Sequence, residues 1–260
     1  MKRLLLTMGG KEQGFSRHNS EGLFRNYNAE ADRLIDSGRS WDLECIKFDN
    51  SFILNSKYYP EHKDVLDKVS FGFAFRIIEI YETIQTLNEG DSILFLDSNH
   101  VITKDPSIYY DIAGKHGVFI HDHIWVYYPN KDWTRRDTFI NMDCDSEKFW
   151  NAPQCQGNVF CVSKNDYTMK FLKDWLDCAL NPKIMFGEGK HSNFPTFKEH
   201  RHDQSIYSVL REKYGFPYVN RSQNVWLEYV AAEMPMIETT NEEDRTMNLW
   251  RKEMDSEENK

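Results

Sequence analysis

The stretch Glu89-Gly-Asp-Ser-Ile-Leu-Phe-Leu-Asp-Ser-Asn-His100 decides the fold class of this chain. Ile93 to Leu96 form a continuous apolar run after a Gly-Asp turn signal, which is typical of a strand buried on both faces of a parallel sheet. Four polar residues, Asp97 to His100, follow where the strand must leave the core. Ligands of open α/β sheets bind outside the carboxyl ends of the strands, so the sequence predicts a site at Asp97.

The side chains of Asp97 and Asn99 suit a divalent cation. A carboxylate followed two residues later by an amide oxygen can hold a hard cation that keeps some waters and takes further oxygens from phosphate. The alternative is that Asp97 caps a turn, as Asp and Asn often do. The spacing alone leaves both interpretations open.

Patterns on both sides of this strand extend the α/β prediction. Residues 4–6 form an earlier apolar strand that ends at Thr7 and the Gly9-Gly10 loop, where a nucleotide often meets such a sheet; a plain turn is the alternative. Further strands are predicted at 41–48, 117–120 and 154–162, helices at 20–37, 71–87, 106–113, 167–180 and 206–213, a long loop at 52–67 and a last element at 226–236. Gly38 is predicted to stop the first of these helices.

Arginine side chains are the candidate phosphate ligands. Arg76 lies in the first turns of a helix predicted beside the Asp97 strand, so its guanidinium can reach a phosphate; an exposed, solvated Arg is the alternative. Arg135, Arg136 and Asp137 follow a Trp-Thr pair, which places two guanidinium groups and a carboxylate beside an aromatic ring. Arg pairs on a surface commonly bind nothing, so the role of this group stays open.

The densest polar run is Phe197-Lys-Glu-His-Arg-His-Asp-Gln-Ser205. Asp203 can cap the helix that follows, but capping leaves His202 and Gln204 unexplained. His202 is a candidate third metal ligand, and Asp203 is a candidate carboxylate at a reacting carbon.

Composition and charge restrict the classes of function. The 260 residues carry a formal charge of −9, which does not favour nucleic acid or acidic membranes as partners. The sequence lacks an apolar run of the roughly 20 residues that a membrane span needs, and its first apolar stretch is shorter than that of a signal peptide. The five cysteines include no Cys-x-x-Cys pair, which indicates reduced thiols rather than a zinc site, although one or two disulfides remain an alternative. We therefore expect a cytoplasmic protein.

Much of the excess negative charge lies in an acidic cluster near the end of the chain. We expect one domain over residues 1–237 and a charged, acidic tail over residues 238–260. The sequence contains no G-x-G-x-x-G fingerprint, P-loop or Ser/His/Asp signature, which argues against dehydrogenases, kinases and hydrolases of those types.

Six segments, in this order, resemble a family of nucleotide-sugar-dependent glycosyltransferases with the GT-A fold, found in bacteria, algae and large viruses. The match spans most of residues 4–215, and the His-Arg-His-Asp-Gln-Ser205 block is its most specific part. The segments are Phe71-Gly-Phe-Ala-Phe-Arg76, Glu89-Gly-Asp-Ser-Ile-Leu-Phe-Leu-Asp97, Trp133-Thr-Arg-Arg-Asp-Thr-Phe139, the Gln154 strand, the Trp175 helix and the run ending at Ser205.

The resemblance implies an α/β fold with a mixed, mostly parallel central sheet flanked by helices. It implies transfer of a hexose or pentose from a nucleotide-diphosphate sugar, UDP- or GDP-linked, to a hydroxyl of a glycan or glycoprotein. The residues implied in donor binding are Leu6, Thr7, Gly9, Arg76, Asp97, Ser98, Arg135 and Arg136. Those implied for Mn²⁺ or Mg²⁺ are Asp97, Asn99 and His202, and those implied at the reacting carbon are Asp203, Gln204 and Asp137.

Two departures from the family pattern qualify this expectation. The acidic motif at the strand end is usually Asp-x-Asp, whereas this chain has Asp97-Ser-Asn99, which removes one negative charge and predicts weaker metal binding. Relatives often have an aromatic-Lys-Pro sequence where this chain has Phe75-Arg-Ile77. The alternative function is a non-catalytic carbohydrate- or nucleotide-binding module on the same fold. A nucleotidyltransferase is a third candidate function.

Overall fold

The structure is a computed structural model that describes residues 1–10, 27–120, 128–217 and 237–239. In chain order its elements are β1 (Arg3–Met8), α1 (Tyr27–Arg39), β2 (Glu44–Phe48), α2 (Asn50–Leu54), α3 (Lys63–Leu66), a 3-10 helix (Val69–Phe73), α4 (Phe75–Gln85), β3 (Ser92–Leu96), β4 (His100–Ile102), α5 (Ser107–His116), β5 (Val118–Phe119), α6 (Asn130–Trp133), α7 (Arg136–Asn141), α8 (Glu147–Trp150), β6 (Val159–Ser163), α9 (Asp166–Ala179), α10 (Pro182–Met185), α11 (Asp203–Tyr214) and β7 (Ile237–Thr239). In the parts of the chain so described, no helix is long and apolar enough to cross a membrane.

A five-stranded sheet forms the centre of the fold, in the strand order β2-β1-β3-β6-β5. β1 is parallel to β2 and β3, whereas β6 is antiparallel to β3 and β5, so four of the five strands run in one direction. One hydrophobic core includes residues of α4, α9 and α11, and a second includes residues of α1 and α5. The predicted α/β class, with a mixed, mostly parallel sheet flanked by helices, is confirmed.

β3 is buried along its whole length, as its apolar sequence predicts. Ile93 and Phe95 pack into the core that includes α4 and α9, whereas Leu94 and Leu96 pack into the core that includes α1 and α5. Because successive side chains of a strand point to opposite faces, an uninterrupted apolar run satisfies both cores. Burial of each such side chain contributes roughly 1.5–3 kcal/mol.

The carboxyl ends of three strands meet at one edge of the sheet. In the parallel register Leu6 of β1 pairs with Phe95 of β3, and Thr7 pairs with Lys47 of β2. Because β6 runs the other way, its amino end lies at this same edge, where the Asp97 N–H donates to the carbonyl of Asn158 at 3.0 Å. The edge therefore brings the Asp97 turn beside the residues that precede β6.

Two of the predicted element boundaries were wrong. The segment 52–67, predicted as a loop, contains the end of α2 and all of α3. The Asp49 side chain caps α2 by accepting from the Ser51 N–H at 2.8 Å, a local signal that the long-loop interpretation overlooked. Gly38 lies inside α1, which ends one residue later at Arg39, and a Cβ on Gly38 would lie 2.5 Å from Leu5 Cδ2. Gly38 thus allows α1 to pack closely on β1.

The later part of the chain differs from prediction in a further way. α11 begins at Asp203, three residues before the predicted start. β7 pairs antiparallel with β4, so residues 237–239 continue the fold across the expected start of the acidic tail. Residues 240–260, and the predicted element at 226–236, lie outside the described residues. No disulfide joins the five cysteines, all of which are described.

Candidate active site

The Arg76 guanidinium lies at the centre of a charged cluster at this edge of the sheet. Arg76 is 7% exposed, and its Nη1 lies 3.2 Å from Asp203 Oδ2. Its Nη2 donates to Asp97 Oδ1 at 3.4 Å, and the guanidinium carbon lies 5.3 Å from the centre of the Phe95 ring. The first turn of α4, the end of β3 and the first residue of α11 thus converge on one cation. We call these groups, with Gln204 and Gly157, the Arg76 cluster.

The backbone, rather than the Asp97 side chain, holds the turn after β3. The Asp97 carbonyl accepts from the His100 N–H at 3.2 Å and contacts His100 Nδ1 at 2.9 Å. The Asp97 carboxylate instead faces Arg76, and the side chain is 37% exposed. Residues 97–100 form a turn, but the Asp97 carboxylate is directed toward the Arg76 charge and toward solvent.

Arg76 has hydrogen-bonding capacity that no described residue uses. Its Nε and Nη1 are buried and make no hydrogen bond within the described part of the chain, since the 3.2 Å contact of Nη1 with Asp203 Oδ2 is an ion pair without hydrogen-bond geometry. Buried polar groups are nearly always hydrogen-bonded, so each exception needs an explanation. A guanidinium presents a fork of donors that matches phosphate and carboxylate oxygens, which makes Arg76 a candidate ligand of an anion.

The Asp203 carboxyl is buried and electrostatically unusual. Asp203 is 4% exposed, and its pKa is raised to about 6. Desolvation is the largest cause of this rise, the Arg76 charge opposes it, and the Asp97 charge adds to it. The Gln204 N–H donates to Asp203 Oδ1 at 2.9 Å, which fixes one oxygen at the start of α11. A carboxylate with a pKa near neutrality is suited to accept a proton during a reaction.

Gly157 allows the backbone before β6 to approach the Arg76 cluster. A Cβ at this position would lie 2.9 Å from Arg76 Nη1 and 3.0 Å from Gln204 Oε1. Gly157 lies within the strand predicted at 154–162, and no local pattern connects it with Arg76. The close approach brings Gln204 into the cluster alongside Asp203.

We expect Gly157→Ala to reduce activity more than stability. The new methyl group would have to displace the Arg76 and Gln204 side-chain ends, and small misplacements of this kind can cost about 100-fold in rate. Gly114→Ala is the matched control, because nothing lies within 4 Å of its Cβ position and Ala in a helix stabilises by about 0.5–1 kcal/mol. Turnover and urea unfolding of both variants check the prediction, and an unchanged rate for Gly157→Ala contradicts it.

Glu79 is a buried acid that sequence reasoning missed. It is fully buried one helical turn after Arg76, and desolvation raises its pKa well above the usual range, with Arg76 opposing. Neither carboxyl oxygen makes a hydrogen bond within the described residues. The sequence signal for this burial is that Glu79 is an acidic residue inside the otherwise apolar run 77–80 of α4. Burial therefore disfavours the charged form of Glu79, and the neighbouring Arg76 charge opposes that effect.

The residues predicted to border the nucleotide lie at the same sheet edge. Leu6 is buried within the sheet, and Thr7 is buried with an Oγ1 that no described residue hydrogen-bonds. Gly9 permits close packing, because a Cβ there would lie 2.8 Å from Asn28 Oδ1. Ser98 is buried with its Oγ 3.5 Å from Glu30 Oε2. Leu6 shapes the edge from inside the core, whereas Thr7 offers it a hydroxyl.

The two arginines at 135 and 136 make their described contacts away from Arg76. Arg135 Nη1 donates to the carbonyl of Phe186 at 3.0 Å. Arg136 Nη2 lies 3.2 Å from Asp145, and its guanidinium lies over the Phe194 ring at 5.3 Å. These contacts stabilise the surrounding loops and do not themselves indicate a bound donor. The role of Arg135 and Arg136 in donor binding stays a prediction.

Asp137 holds the loop that follows α10. Its Oδ1 lies 2.7 Å from His191 Nδ1, and its Oδ2 accepts from the His191 N–H at 3.1 Å. A Cβ at Gly189 would lie 2.0 Å from Asp137 Oδ1, so the loop backbone lies directly on the carboxylate. These contacts give Asp137 an anchoring role that does not need catalysis.

We expect Asp137→Ala to destabilise the protein by about 1–3 kcal/mol, because it removes a buried carboxylate that accepts from the His191 N–H and contacts the His191 ring. Asp177→Ala is the control, since Asp177 is exposed and its pair with Lys173 is worth at most about 0.5 kcal/mol. Urea unfolding measures both changes. A large loss of turnover at unchanged stability would instead support the predicted catalytic role.

The two histidines before α11 occupy different environments. His200 is buried, and burial lowers its pKa to about 3. Its Nδ1 accepts from the Arg135 N–H at 3.3 Å, and its Nε2 donates to the Met185 carbonyl at 2.9 Å. His202 stacks on Phe73 at 4.7 Å and lies 3.4 Å from the Met185 carbonyl through Nδ1. His200 is therefore a neutral link between two backbone segments.

The predicted metal donors are Asp97, Asn99 and His202, and their joint role stays a prediction. Among the described residues, no group of three His, Cys, Asp or Glu side chains is placed to hold a metal ion, a finding that does not cover an amide donor such as Asn99. Asp97 and Asn99 retain the donor types that Mg²⁺ and Mn²⁺ prefer, a carboxylate and an amide oxygen. Both side chains are half-buried at the sheet edge, so these two donors suit a cation that also binds water and phosphate.

Comparisons with known proteins give only distant likenesses. No protein-family model matches this chain, and no curated protein is similar to it in sequence. Similar solved structures include the apo form of mouse xyloside xylosyltransferase 1, with 11% identity and a TM-score of 0.46 over 90% of this chain and 92% of that chain. Another is a glycosyltransferase involved in the glycosylation of the major capsid of PBCV-1, with 12% identity and a TM-score of 0.43 over 85% of this chain and 81% of that chain. At these values neither likeness transfers a site residue or a substrate.

Proposed function

We propose that this protein is a glycosyltransferase that transfers a sugar from a nucleotide-diphosphate sugar to a hydroxyl of a glycan or glycoprotein. The observation that carries the proposal is the buried Arg76 guanidinium, with unused donors at the carboxyl end of the parallel strands. This edge is where nucleotides meet α/β sheets, and a diphosphate is the anion that such a fork of donors fits. Asp203 supplies a carboxylate within 3.2 Å of the same guanidinium.

The charge around Arg76 favours a metal-assisted reaction. Asp97 and Asp203 flank a single guanidinium, so a diphosphate would add negative charge to a site whose positive charge is already offset. Mn²⁺ or Mg²⁺ held by Asp97 and Asn99 would supply Lewis-acid stabilisation of the charge that builds on the leaving nucleotide. Arg76 would bind the same diphosphate from inside the fold, with preorganised donors that need little reorganisation.

Asp203 is the proposed carboxylate at the anomeric carbon. Its raised pKa suits a group that accepts the proton of an acceptor hydroxyl in an inverting reaction. In a retaining reaction the same carboxylate would stabilise positive charge on the sugar. Gln204 would orient substrate hydroxyl groups, since its side chain lies beside Gly157 in the Arg76 cluster.

The test is a thermal-shift panel of UDP- and GDP-sugars, each with Mn²⁺ and with EDTA. A ligand at 100 times its dissociation constant should add about 2.7 kcal/mol to the free energy of unfolding. We expect a shift for one nucleotide class that requires metal and is lost in Asp97→Ala. Asp177→Ala is the control, because Asp177 is an exposed residue of α9.

Two outcomes would contradict the proposal. Donor binding that persists in EDTA and in Asp97→Ala would show that the donor needs no metal, and would leave Arg76 as the phosphate ligand. Donor binding without transfer to any tested acceptor would favour the non-catalytic binding module, which the replacement of a second Asp by Asn99 already suggests.

A further inference from the structure

Two half-buried aromatic residues with unusual backbone angles lie beside the Arg76 cluster. His202, which precedes α11, has φ 52° and ψ −120°, and Phe73, near the start of α4, has φ 68°. Residues that carry a Cβ rarely adopt positive φ, and they persist there only where the surrounding structure imposes it. The rings of these two residues stack on each other, with centroids 4.7 Å apart and planes inclined by 12°.

The position of Phe73 follows from a left-handed turn before α4. Phe71, Gly72 and Phe73 have φ values of 50°, 59° and 68° in succession. Gly72 is needed there, because a Cβ would lie 2.8 Å from the Val65 carbonyl oxygen and 2.9 Å from Val65 Cγ1. The turn therefore delivers Phe73 to the side of α11 by a fixed backbone path.

The orientation of the His202 ring is also fixed from several sides. Its Nδ1 lies 3.4 Å from the Met185 carbonyl, and its ring meets Phe186 edge-on at 6.0 Å and His200 at 5.1 Å. Glycine would adopt the His202 backbone angles without strain. A histidine at this position is consistent with a use for the side chain that outweighs the backbone cost.

The stack links the same two helix ends that carry the reacting groups. Phe73 lies three residues before Arg76, and His202 lies one residue before Asp203. The Arg76 and Asp203 side chains approach to 3.2 Å, as an ion pair in which Asp203 Oδ2 makes no hydrogen bond within the described residues. Because this pair lacks a hydrogen bond at Oδ2, the neighbouring stack is an additional contact between the two segments that set the distance between its members.

We propose that His202 and Phe73 are a positioning pair, whose stack holds Asp203 at the distance from Arg76 that sugar transfer requires. The proposal rests on the proposed function for its activity measurement. It gives His202 a role other than the metal ligand that the sequence suggested. Both residues act through Asp203 and Arg76.

The test compares His202→Gly with a matched control, Asp143→Gly. Asp143 also has a positive φ, of 53°, but it is exposed in the turn after α7. In His202→Gly the relief of backbone strain opposes the loss of the ring contacts, so we expect the variant to stay folded, while kcat at saturating donor and metal falls at least about ten-fold, as misplaced groups do. Asp143→Gly should melt at or above the wild-type temperature with an unchanged kcat.

A crystal structure of each variant separates this proposal from the proposed function. The distance from Arg76 Nη1 to Asp203 Oδ2 should exceed 3.2 Å in His202→Gly and stay unchanged in Asp143→Gly, a measurement that needs no substrate. An unchanged distance in His202→Gly would overturn the proposal, as would full kcat. A weaker Mn²⁺ affinity with full kcat at saturating metal would identify His202 as a ligand instead.

Discussion

Asp203→Asn is expected to lower kcat by about 100- to 10,000-fold, the range typical of a lost general base. Asn has nearly the size of Asp, so the packing at the start of α11 should survive, while the group that accepts a proton or stabilises the sugar cation is removed. The dissociation constant of the donor should change little, because Arg76 and Asp97 remain. Steady-state kinetics with isothermal titration of the donor distinguish the two effects.

The control for this variant is Asp166→Asn. Asp166 is the first residue of α9, as Asp203 is of α11, so both changes remove a carboxylate from the start of a helix. Asp166 is exposed, and its replacement should leave kcat unchanged. A loss of donor affinity in Asp203→Asn that accounts for the whole effect would show that Asp203 only binds substrate.

The pH profile of the wild type gives an independent check on Asp203. The carboxyl acts in its deprotonated form, and burial raises its pKa to about 6, so kcat should fall as pH is lowered through about 6. An unshifted aspartate would instead lose activity near pH 3.9. The step near pH 6 should be missing from the residual activity of Asp203→Asn and present in Asp166→Asn.

Arg76→Leu is expected to destabilise the protein by about 3–5 kcal/mol, the cost of leaving buried charges without their partner. Asp203 is almost fully buried, and Arg76 is its only ion-pair partner in the described part of the chain. Donor binding should be lost as well, because the phosphate ligand disappears. Urea unfolding gives the stability change, and titration of a nucleoside diphosphate at a temperature where the variant is folded gives the binding change.

Two further arginine variants sharpen this prediction. Arg76→Lys keeps the charge but cannot reach Asp97 and Asp203 with two separate arms, so it should recover part of the stability and little of the donor binding. Arg39→Leu removes an exposed pair with Asp36 and should cost at most about 1 kcal/mol. Equal stability losses for Arg39→Leu and Arg76→Leu would show that the Arg76 charges are well solvated.

The sequence was most informative where one physical signal dominates. The apolar run of β3 requires two buried faces, and this requirement alone predicts a central strand with a polar end. The meeting of Thr7 and Asp97 at one edge follows from the parallel direction of their strands. Arg76 was a candidate from its place in a predicted helix and Asp203 from the densest polar run, and the structure places these two side chains together.

The remaining features depend on contacts that no local pattern specifies. The contact of Asp137 with His191 joins residues 54 positions apart, so no local pattern predicts it. Glu79 was passed over because helical periodicity treats an acid as solvent-facing, whereas its burial depends on the packing of α4 between the sheet and α9. The positive φ of His202 occurs together with its stack on Phe73, and composition does not encode such a conformation for a histidine.

The wide separation in sequence of the residues in the Arg76 cluster also determines when the site forms during folding. Arg76, Asp97, Gly157 and Asp203 come from four segments separated by whole helices and strands. Each pairing closes a long loop, whose entropy must be overcome before the contact stabilises anything. A nucleotide sugar would therefore recognise only the completed domain, and its binding should protect α4, β3 and α11 together from proteolysis and hydrogen exchange.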